Sequence, residues 1–161
     1  AEDADREGAV AGGASRSESV RAGLAAVPPE ATVVCVHDAA RPLATVELYR
    51  RAIAAVLGGA DAAIPGIAVA DTIKVVADGV VQSTPDRASL VAVQTPQAFR
   101  ASSLRAAHDH GGDATDDAAL VEADGGVVVV VDGESTNLKI TVPDDLDWAR
   151  RHLDLARTEQ R

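Results

Sequence analysis

The chain has 161 residues, of which 47% are apolar and only 2% are aromatic, so one domain with an aliphatic core is expected. Its formal net charge of −10 argues against general binding to nucleic acids or to anionic membranes, and no apolar run reaches the roughly 18 residues of a membrane span. The single cysteine, Cys35, excludes an internal disulfide framework and indicates a reducing, cytoplasmic location.

Helices and strands alternate in the first half of the chain. After a polar start over residues 1–16, "SESVRAGLAAV" predicts a helix capped by Ser17 or Ser19, and residues 32–36 predict a buried strand. "DAAIPGIAV" predicts a second strand. Between these strands, "TVELYRRAIAAVLGG" predicts a helix that Thr45 caps and glycines end. Its expected apolar face comprises Val46, Tyr49, Ile53, Val56 and Leu57.

The second half begins with a hairpin. "TIKVV" and "GVVQST", joined by "ADG", predict two paired strands within an arm over about residues 71–91. Helices are expected over residues 103–110 and 117–124, followed by a strongly buried strand in "GVVVVVDG", a short strand in "NLKIT" and a closing helix from Pro143. This alternation predicts a parallel α/β sheet with helices on both faces, in which ligands bind beyond the carboxyl ends of the strands.

Two motifs place polar groups at such positions. In "HDAARPL", Asp38 can hold a ligand hydroxyl or a metal-bound water, and Arg41 can bind phosphate through two hydrogen bonds; a surface Asp–Arg pair is the alternative. "GGASRSESVRAGL" places glycines and polar side chains ahead of a helix, where anions bind; a flexible loop with a cap is the alternative. The candidates from this second motif are Gly12, Gly13, Arg16 and Ser19.

The arm contributes further candidates. In "ADTIK", period-two spacing puts Thr72 and Lys74 on one face of a strand, and "PDRAS" puts Arg87 on the returning strand, where a solvated position is the alternative. "QTPQAF" predicts a loop at the end of the sheet that faces the same crevice, through Gln94, Thr95 and Gln97.

The last third of the chain adds one cation and several residues with ordinary explanations. Lys139, inside the predicted strand "NLKIT", faces the crevice and can supply charge for a phosphate, with a solvated lysine as the alternative. "TDDA", beginning at Thr115, reads as an N-cap with acidic first-turn residues. "HDH" at 108–110 is predicted to be a solvated helix end, and no histidine has metal-ligand spacing.

Taken in order, these motifs resemble those of the 2-C-methyl-D-erythritol 4-phosphate cytidylyltransferase family of the non-mevalonate isoprenoid pathway. The matching segments are "GGASRSESVRAGL", "HDAARP", "DTIK", "DRA", "QTPQAF", "TDDA" and "NLKITVPDDL". The resemblance implies an α/β fold with a Rossmann-like sheet of the nucleotide-diphospho-sugar-transferase type, incomplete at its N-terminus, and a protruding β-hairpin arm. Residues 1–161 would form one partial domain of this kind.

The resemblance also implies a reaction and roles for residues. CTP would donate a cytidylyl group to 2-C-methyl-D-erythritol 4-phosphate and release pyrophosphate, with Mg²⁺ held mainly by the substrate phosphates and with no protein metal ligand. Arg87 and Lys139 would be catalytic. The substrate-binding residues would be Gly12, Gly13 and Ser19 for cytidine, Asp38 and Ala39 in the pocket, and Thr72 and Thr95 for the methylerythritol phosphate. Arg16 and Arg41 are added to the substrate-binding residues because a guanidinium can bind phosphate.

The family further implies a cytoplasmic homodimer in which the arms are exchanged and Arg87 serves the neighbouring site. Members begin with a loop resembling "AAGxGxR" followed by "PK", and neither motif occurs here. The sequence therefore resembles about the last two thirds of a member, and by itself it is expected to turn over CTP extremely slowly or not at all. A catalytically incomplete dimerising fragment and a ribitol-phosphate cytidylyltransferase are the alternatives.

Overall fold

A computed structural model describes residues 8–110 and 114–159, with side chains as far as residue 154, so part of the predicted polar start lies outside the described residues. The helices are α1 Arg16–Ala26, α2 Val46–Leu57, α3 Ala101–Asp109, α4 Asp117–Ala123 and α5 Pro143–Glu159. The strands are β1 Val33–Val36, β2 Ala62–Ala68, β3 Val75–Ala77, β4 Val80–Ser83, β5 Val91–Val93, β6 Gln97–Arg100 and β7 Val128–Asp132.

The main sheet is mixed, so the prediction of a parallel sheet is wrong for its centre. β2 pairs in parallel with β7, whereas β6 lies between β1 and β2 and is antiparallel to both. β5 is antiparallel to β2 on the same side as β6. The reason is the connection: the chain returns from the arm without a crossover helix, and a strand that returns directly enters a sheet antiparallel.

Helices cover both faces of this sheet, which confirms the predicted α/β class. Phe99 and Ile64 pack with Leu104 of α3 and Val121 of α4 on one face. Ala63, next to Ile64 in sequence, packs on the other face with Ala52 and Val56 of α2. Neighbouring residues of a strand point to opposite faces, so the apolar runs of β2 and β6 supply both cores.

The boundaries of α2 agree with the prediction, but its buried face agrees only in part, since Val56 is buried while Val46 and Leu57 are exposed. Thr45 caps the helix by accepting a hydrogen bond from the backbone of Leu48, and Gly58 ends it. The buried stripe is Leu48, Ala52 and Val56, at intervals of four residues. Val46 is 66% exposed because it lies about 200° around the helix from Leu48.

Three further local predictions are corrected. Ser15 caps α1, in place of Ser17 or Ser19, by accepting from the backbone of Glu18. β7 pairs only with β2 among the described strands, so it is an edge strand and Val130 is half-exposed. "NLKIT" forms no strand, because Ile140 N donates to Ala40 O without further ladder bonds. Within the described residues, no helix is both long and apolar enough to cross a bilayer.

The predicted hairpin is confirmed as β3 and β4, which pair with each other and with no other described strand. Asp78 and Gly79 both have positive φ, 51° and 76°, as a two-residue type I′ turn requires. Residues 71–74 form no strand, so the spacing argument that placed Thr72 and Lys74 on one face is wrong. Nearly all residues of this arm are exposed, including the valines of both strands.

Asp61, the residue before β2, predicts a pH dependence of stability. Its carboxylate accepts hydrogen bonds from the backbone of Val127, from Ser103 Oγ and from Arg100 Nε, and these bonds lower the pKa of Asp61. A carboxyl with a lower pKa in the folded state stabilises the fold above its unfolded pKa, and that stability is lost on acidification. The free energy of unfolding in urea should therefore fall from about pH 5 to about pH 2.

Asp61→Asn should make this fall shallower, and Ser103→Ala, which removes one donor, should give an intermediate slope. An unchanged slope in Asp61→Asn would contradict the assignment to this carboxylate.

Candidate active site

A cavity of about 260 Å³ lies where β1 ends and where the chain bends between β5 and β6. Side chains from five separate segments of the chain meet there, so the cavity is a product of the tertiary structure and not of one sequence motif. The lining residues are Arg16, Asp38, Arg41, Val93, Gln94, Thr95, Gln97, Thr115, Asp116 and Lys139. Five of them have a predicted catalytic or binding role, namely Arg16, Asp38, Arg41, Thr95 and Lys139, and Gln94 and Gln97 were predicted to face the same crevice.

A larger cleft, of about 480 Å³, lies between α1 and α3. Half of its lining residues are aliphatic and the others are Arg21, Arg105, His108 and Asp109, and none of them is a predicted site residue. Size alone would favour this cleft, but of the two only the smaller cavity adds amides and hydroxyls to its opposite charges, and such groups orient a polar substrate. The smaller cavity is therefore the candidate active site.

Asp38 is the centre of the charge cluster in this cavity. Lys139 Nζ lies 3.0 Å from Asp38 Oδ2, and Arg41 Nε lies 3.8 Å from the same oxygen. Arg41 is also fixed by donating to the backbone oxygens of Asn137 at 2.9 Å and Val93 at 3.4 Å. Burial lowers the pKa of Arg41 and Asp38 counteracts it, so the guanidinium keeps its charge. Lys139 keeps about half of its side chain exposed and can turn to a ligand.

His37 holds the backbone of this cluster in place through Thr95. His37 Nε2 lies 3.1 Å from the carbonyl oxygen of Arg41, which can only accept, so Nε2 carries the proton. In the neutral ring, Nδ1 then accepts from the Thr95 hydroxyl at 3.1 Å, and the Thr95 oxygen accepts from Asp38 N at 2.9 Å. The Thr95 hydrogen is thus committed, and this hydroxyl can offer a ligand only its remaining lone pair.

Arg16 reaches the cavity from the first turn of α1 and is held by a buried carboxylate. Its Nη2 lies 2.7 Å from Asp117 Oδ2, and Asp117, in the first turn of α4, is fully buried. His108 Nε2 lies 3.1 Å from the other oxygen of Asp117. The prediction of a solvated helix end is therefore wrong for His108, which is 4% exposed, although His110 is exposed.

Gly12, Gly13 and Ser19 form a tight loop ahead of α1 and do not line the cavity. Gly13 N donates to Ser19 Oγ at 3.0 Å, and Ser19 Oγ donates to Ser15 O at 3.0 Å. A Cβ on Gly13 would lie 2.2 Å from Glu18 Cβ, so only glycine fits there. Ser19 therefore shapes the loop, while the exposed backbone of the two glycines remains available to a ligand.

The arm residues are not brought into the cavity of their own chain. Arg87 is exposed and donates to Ala70 O at 2.7 Å, and Thr72 is exposed on the same arm. Neither lines the cavity. Ala39 is exposed in the turn that follows β1, beside Asp38, where Arg41 N donates to Asp38 O.

Some functional positions had weaker sequence signals. Gln97 is buried and donates to Asp116 Oδ2 at 3.0 Å, and Asp116 also caps α4. Both line the cavity with Thr115, so the cap interpretation of "TDDA" is confirmed and the segment also belongs to the site. Glu134 does not line the cavity, but its Oε1 accepts from Thr45 and Arg51 of α2, a contact that nothing in the local sequence signals.

The cavity is a local exception to the acidic charge of the chain. Three cations, Arg16, Arg41 and Lys139, face two carboxylates, Asp38 and Asp116, which leaves one net positive charge. Such a site can neutralise an anionic group, while a carboxylate beside it accepts hydrogen bonds from ligand hydroxyls. This combination suits a phosphorylated polyol.

The chain is similar in sequence to one family of known proteins. The family model of 2-C-methyl-D-erythritol 4-phosphate cytidylyltransferase (IspD) matches residues 5–154. A relative of that name from Syntrophotalea carbinolica is 48% identical over 154 residues, which is 91% of this chain and 65% of the relative. A bifunctional enzyme IspD/IspF from Oleidesulfovibrio alaskensis is 50% identical over 143 residues, which is 86% of this chain and 36% of the relative.

Solved structures agree with this similarity. The 4-diphosphocytidyl-2C-methyl-D-erythritol synthase from Anaerococcus prevotii superposes with a TM-score of 0.83 at 35% identity, covering 90% of this chain and 69% of that one. The 2-C-methyl-D-erythritol 4-phosphate cytidylyltransferase from Thermus thermophilus gives a TM-score of 0.80 at 39% identity, covering 92% and 72%. The chain thus spans about a third of its bifunctional relatives and about two thirds of the others.

Proposed function

Because the chain belongs to the 2-C-methyl-D-erythritol 4-phosphate cytidylyltransferase family, we propose that the protein containing it transfers a cytidylyl group from CTP to 2-C-methyl-D-erythritol 4-phosphate, as a step of non-mevalonate isoprenoid biosynthesis. The observation that carries the proposal is the contact between Lys139 and Asp38, at 3.0 Å, inside a cavity that also holds Arg16 and Arg41. Five of the seven family motifs, which are far apart in sequence, converge at this point.

The reaction requires little covalent chemistry from the protein. An oxygen of the substrate's 4-phosphate attacks the α-phosphorus of CTP in line, a new P–O bond forms, and the P–O bond to pyrophosphate breaks. The attacking group is already an anion, so no protein nucleophile is needed. Catalysis then consists of holding two anions together and neutralising the charge of the transition state.

Within this proposal, five cavity residues have separate chemical tasks. Asp38 accepts hydrogen bonds from the polyol hydroxyls, and Lys139 exchanges its contact with Asp38 for one with phosphate oxygens. Arg41 and Thr95 set the position of Asp38 and border the substrate. Arg16, held by Asp117, contributes a fixed charge at the opposite wall.

The remaining predicted residues are assigned to nucleotide binding and to the rim of the cavity. The backbone of Gly12 and Gly13, which Ser19 holds in a tight loop, offers polar groups to the base and ribose of CTP. Ala39 presents its backbone at the rim, next to Asp38. Thr72 can contact the methylerythritol phosphate only if the arm that carries it reaches the cavity of a second chain.

Arm exchange in a homodimer completes the proposal. Arg87 and Thr72 lie outside the cavity of their own chain, and an arm from a second chain would bring them to it. The exposure of the arm supports this: Val75, Val76 and Val80 are 47%, 54% and 61% exposed, a large apolar surface for strands that pair only with each other among the described elements.

Mg²⁺ belongs to the proposal as an ion carried by the substrate phosphates. No three His, Cys, Asp or Glu side chains group together in the described residues, and Asp38 and Asp116 already accept from protein donors. This donor set fits Mg²⁺, which is usually held by phosphate oxygens, waters and one or two carboxylates. When bound, the ion neutralises phosphate charge. A cytoplasmic location is also proposed, in line with the single cysteine.

The proposal is tested by measuring pyrophosphate release by the full-length protein from CTP, with 2-C-methyl-D-erythritol 4-phosphate or with ribitol phosphate as acceptor. Release should require the methylerythritol acceptor and should be lost in Asp38→Asn, because an amide cannot replace a carboxylate that faces both hydroxyls and Lys139. Faster release with ribitol phosphate would assign the protein to that substrate, and no release with either acceptor would reject cytidylyl transfer.

A further inference from the structure

Lys139 lies on a segment that has little regular structure to hold it. Residues 138–141 form neither helix nor strand, and Ile140 N donates to Ala40 O at 2.8 Å as the nearest tie to the rest of the site. Even so, Lys139 Nζ is within 3.0 Å of Asp38. The position of Lys139 therefore depends on how the preceding turn, residues 133–137, is attached.

That turn is attached by the side-chain amide of Gln94, which acts in place of a neighbouring strand. Gln94 Oε1 accepts from Glu134 N at 3.0 Å, and Gln94 Nε2 donates to Glu134 O at 2.8 Å. Both backbone groups of one residue are thus satisfied by one side chain. The backbone of Gly133 also lies close to this side chain, since a Cβ on Gly133 would be 2.8 Å from Gln94 Oε1.

Asn137 makes the second attachment, two residues before Lys139. Asn137 Nδ2 donates to Thr95 O at 2.8 Å and approaches Gln94 Oε1 at 3.4 Å, and Asn137 O accepts from Arg41 at 2.9 Å. Asn137 is fully buried and Gln94 is 4% exposed. Buried amides whose partners are removed are left without water to replace them, so this pair ties the turn firmly to the bend between β5 and β6.

We infer that Gln94 and Asn137 are positioning residues that hold Lys139 against Asp38 in the cavity. They do not reach the substrate in this role; they fix the turn from which Lys139 extends. The inference rests on the proposed function for its catalytic consequence, but the position of Lys139 can be measured without any turnover.

The sequence provides a direct probe, because Lys74 and Lys139 are its only lysines. Reductive methylation of the 161-residue chain with isotopically labelled formaldehyde keeps both charges and gives each lysine an NMR signal. Lys74 donates to Thr84 on the arm and is the internal control. The Asp38→Asn variant serves as the reference, because its spectrum gives the chemical shift of Lys139 without its carboxylate partner.

Asn137→Ala removes the amide on the turn, and Gln94→Met removes the amide on the bend between β5 and β6. The methionine preserves side-chain length. In both variants the Lys139 signal should move at least halfway to its position in Asp38→Asn, while the Lys74 signal stays in place. Ser103→Ala, which removes a side-chain hydrogen bond to Asp61 away from the cavity, should move neither signal. A folded variant with an unchanged Lys139 signal would overturn the inference. Loss of folding in both variants would also overturn it, since it would make the amides general structural residues.

Turnover by the full-length protein supplies the second measurement. Asn137→Ala should lower kcat by about tenfold or more on its own, but by less than about twofold in a Lys139→Ala background, because the two changes then remove the same interaction. Equal effects in both backgrounds would overturn the inference. If the full-length protein shows no cytidylyl transfer while the NMR result holds, the proposed function fails and the positioning of Lys139 stands.

Discussion

Replacing Lys139 with alanine in the full-length protein is expected to lower kcat/KM for cytidylyl transfer by roughly 10²–10³-fold, the usual cost of one preorganised charge-stabilising group. Lys139 is the cavity cation with the greatest freedom to meet a phosphate, since half of its side chain is exposed and its partner is a single carboxylate oxygen. For the same reason its removal should leave the thermal midpoint unchanged within about 1–2 °C, because exposed ion pairs contribute little to stability.

The matched control is Arg150→Ala, which removes an exposed cation on α5 that pairs with Asp147. Steady-state kinetics and thermal unfolding of both variants decide the question. A Lys139→Ala protein with wild-type kcat/KM would reduce this lysine to a surface residue, and an equal loss in Arg150→Ala would point to a general effect of charge.

Mixing two inactive variants, Arg87→Ala and Lys139→Ala, should restore about a quarter of wild-type activity. With random pairing in a two-fold dimer about half of the dimers are mixed, and one site of each mixed dimer has both cations. That site takes its cavity from the Arg87→Ala chain and its arm from the Lys139→Ala chain. The expectation follows from the position of Arg87, which is exposed on the arm and outside the cavity of its own chain.

A second mixture tests the geometry behind this result. Asp38 and Lys139 are in contact within one chain, so mixing Asp38→Asn with Lys139→Ala should restore nothing, because every site keeps one defect. Subunit exchange is verified by native mass spectrometry of tagged chains. If exchange is complete and the Arg87→Ala and Lys139→Ala mixture stays inactive, Arg87 does not act across a dimer interface.

Local sequence determined most of the individual elements of this protein. Thr45 and Gly58 fix the ends of α2 because a cap and a helix-ending glycine act over a few residues. The Asp78-Gly79 turn fixes the hairpin because both residues accept positive φ. The polar groups of "HDAARP" could likewise be placed at a strand end, since an apolar run that forms β1 directly precedes them, although β1 is half-buried and not buried as predicted.

The assembly of the site was decided only by the tertiary structure. Arg16 and Asp117 are 101 residues apart, and the turn that carries Lys139 is held by Gln94, 40 residues before its Glu134. The prediction of a strand around Lys139 was wrong because its pattern suited a strand, while the tertiary structure gives this segment only the bond from Ile140 N to Ala40 O and no ladder with a strand edge. His108 was assigned to solvent because its partner, Asp117, lies on the next helix.

The mixed direction of the sheet has the same origin. Periodicity identifies a strand but not its neighbour, and β6 inserts between β1 and β2 because the arm returns the chain without a crossover. Helix caps and hairpin turns are satisfied within a few residues, so the sequence by itself determines them. Buried charges and amides need partners that only the folded sheet and its two helical layers bring within hydrogen-bond distance.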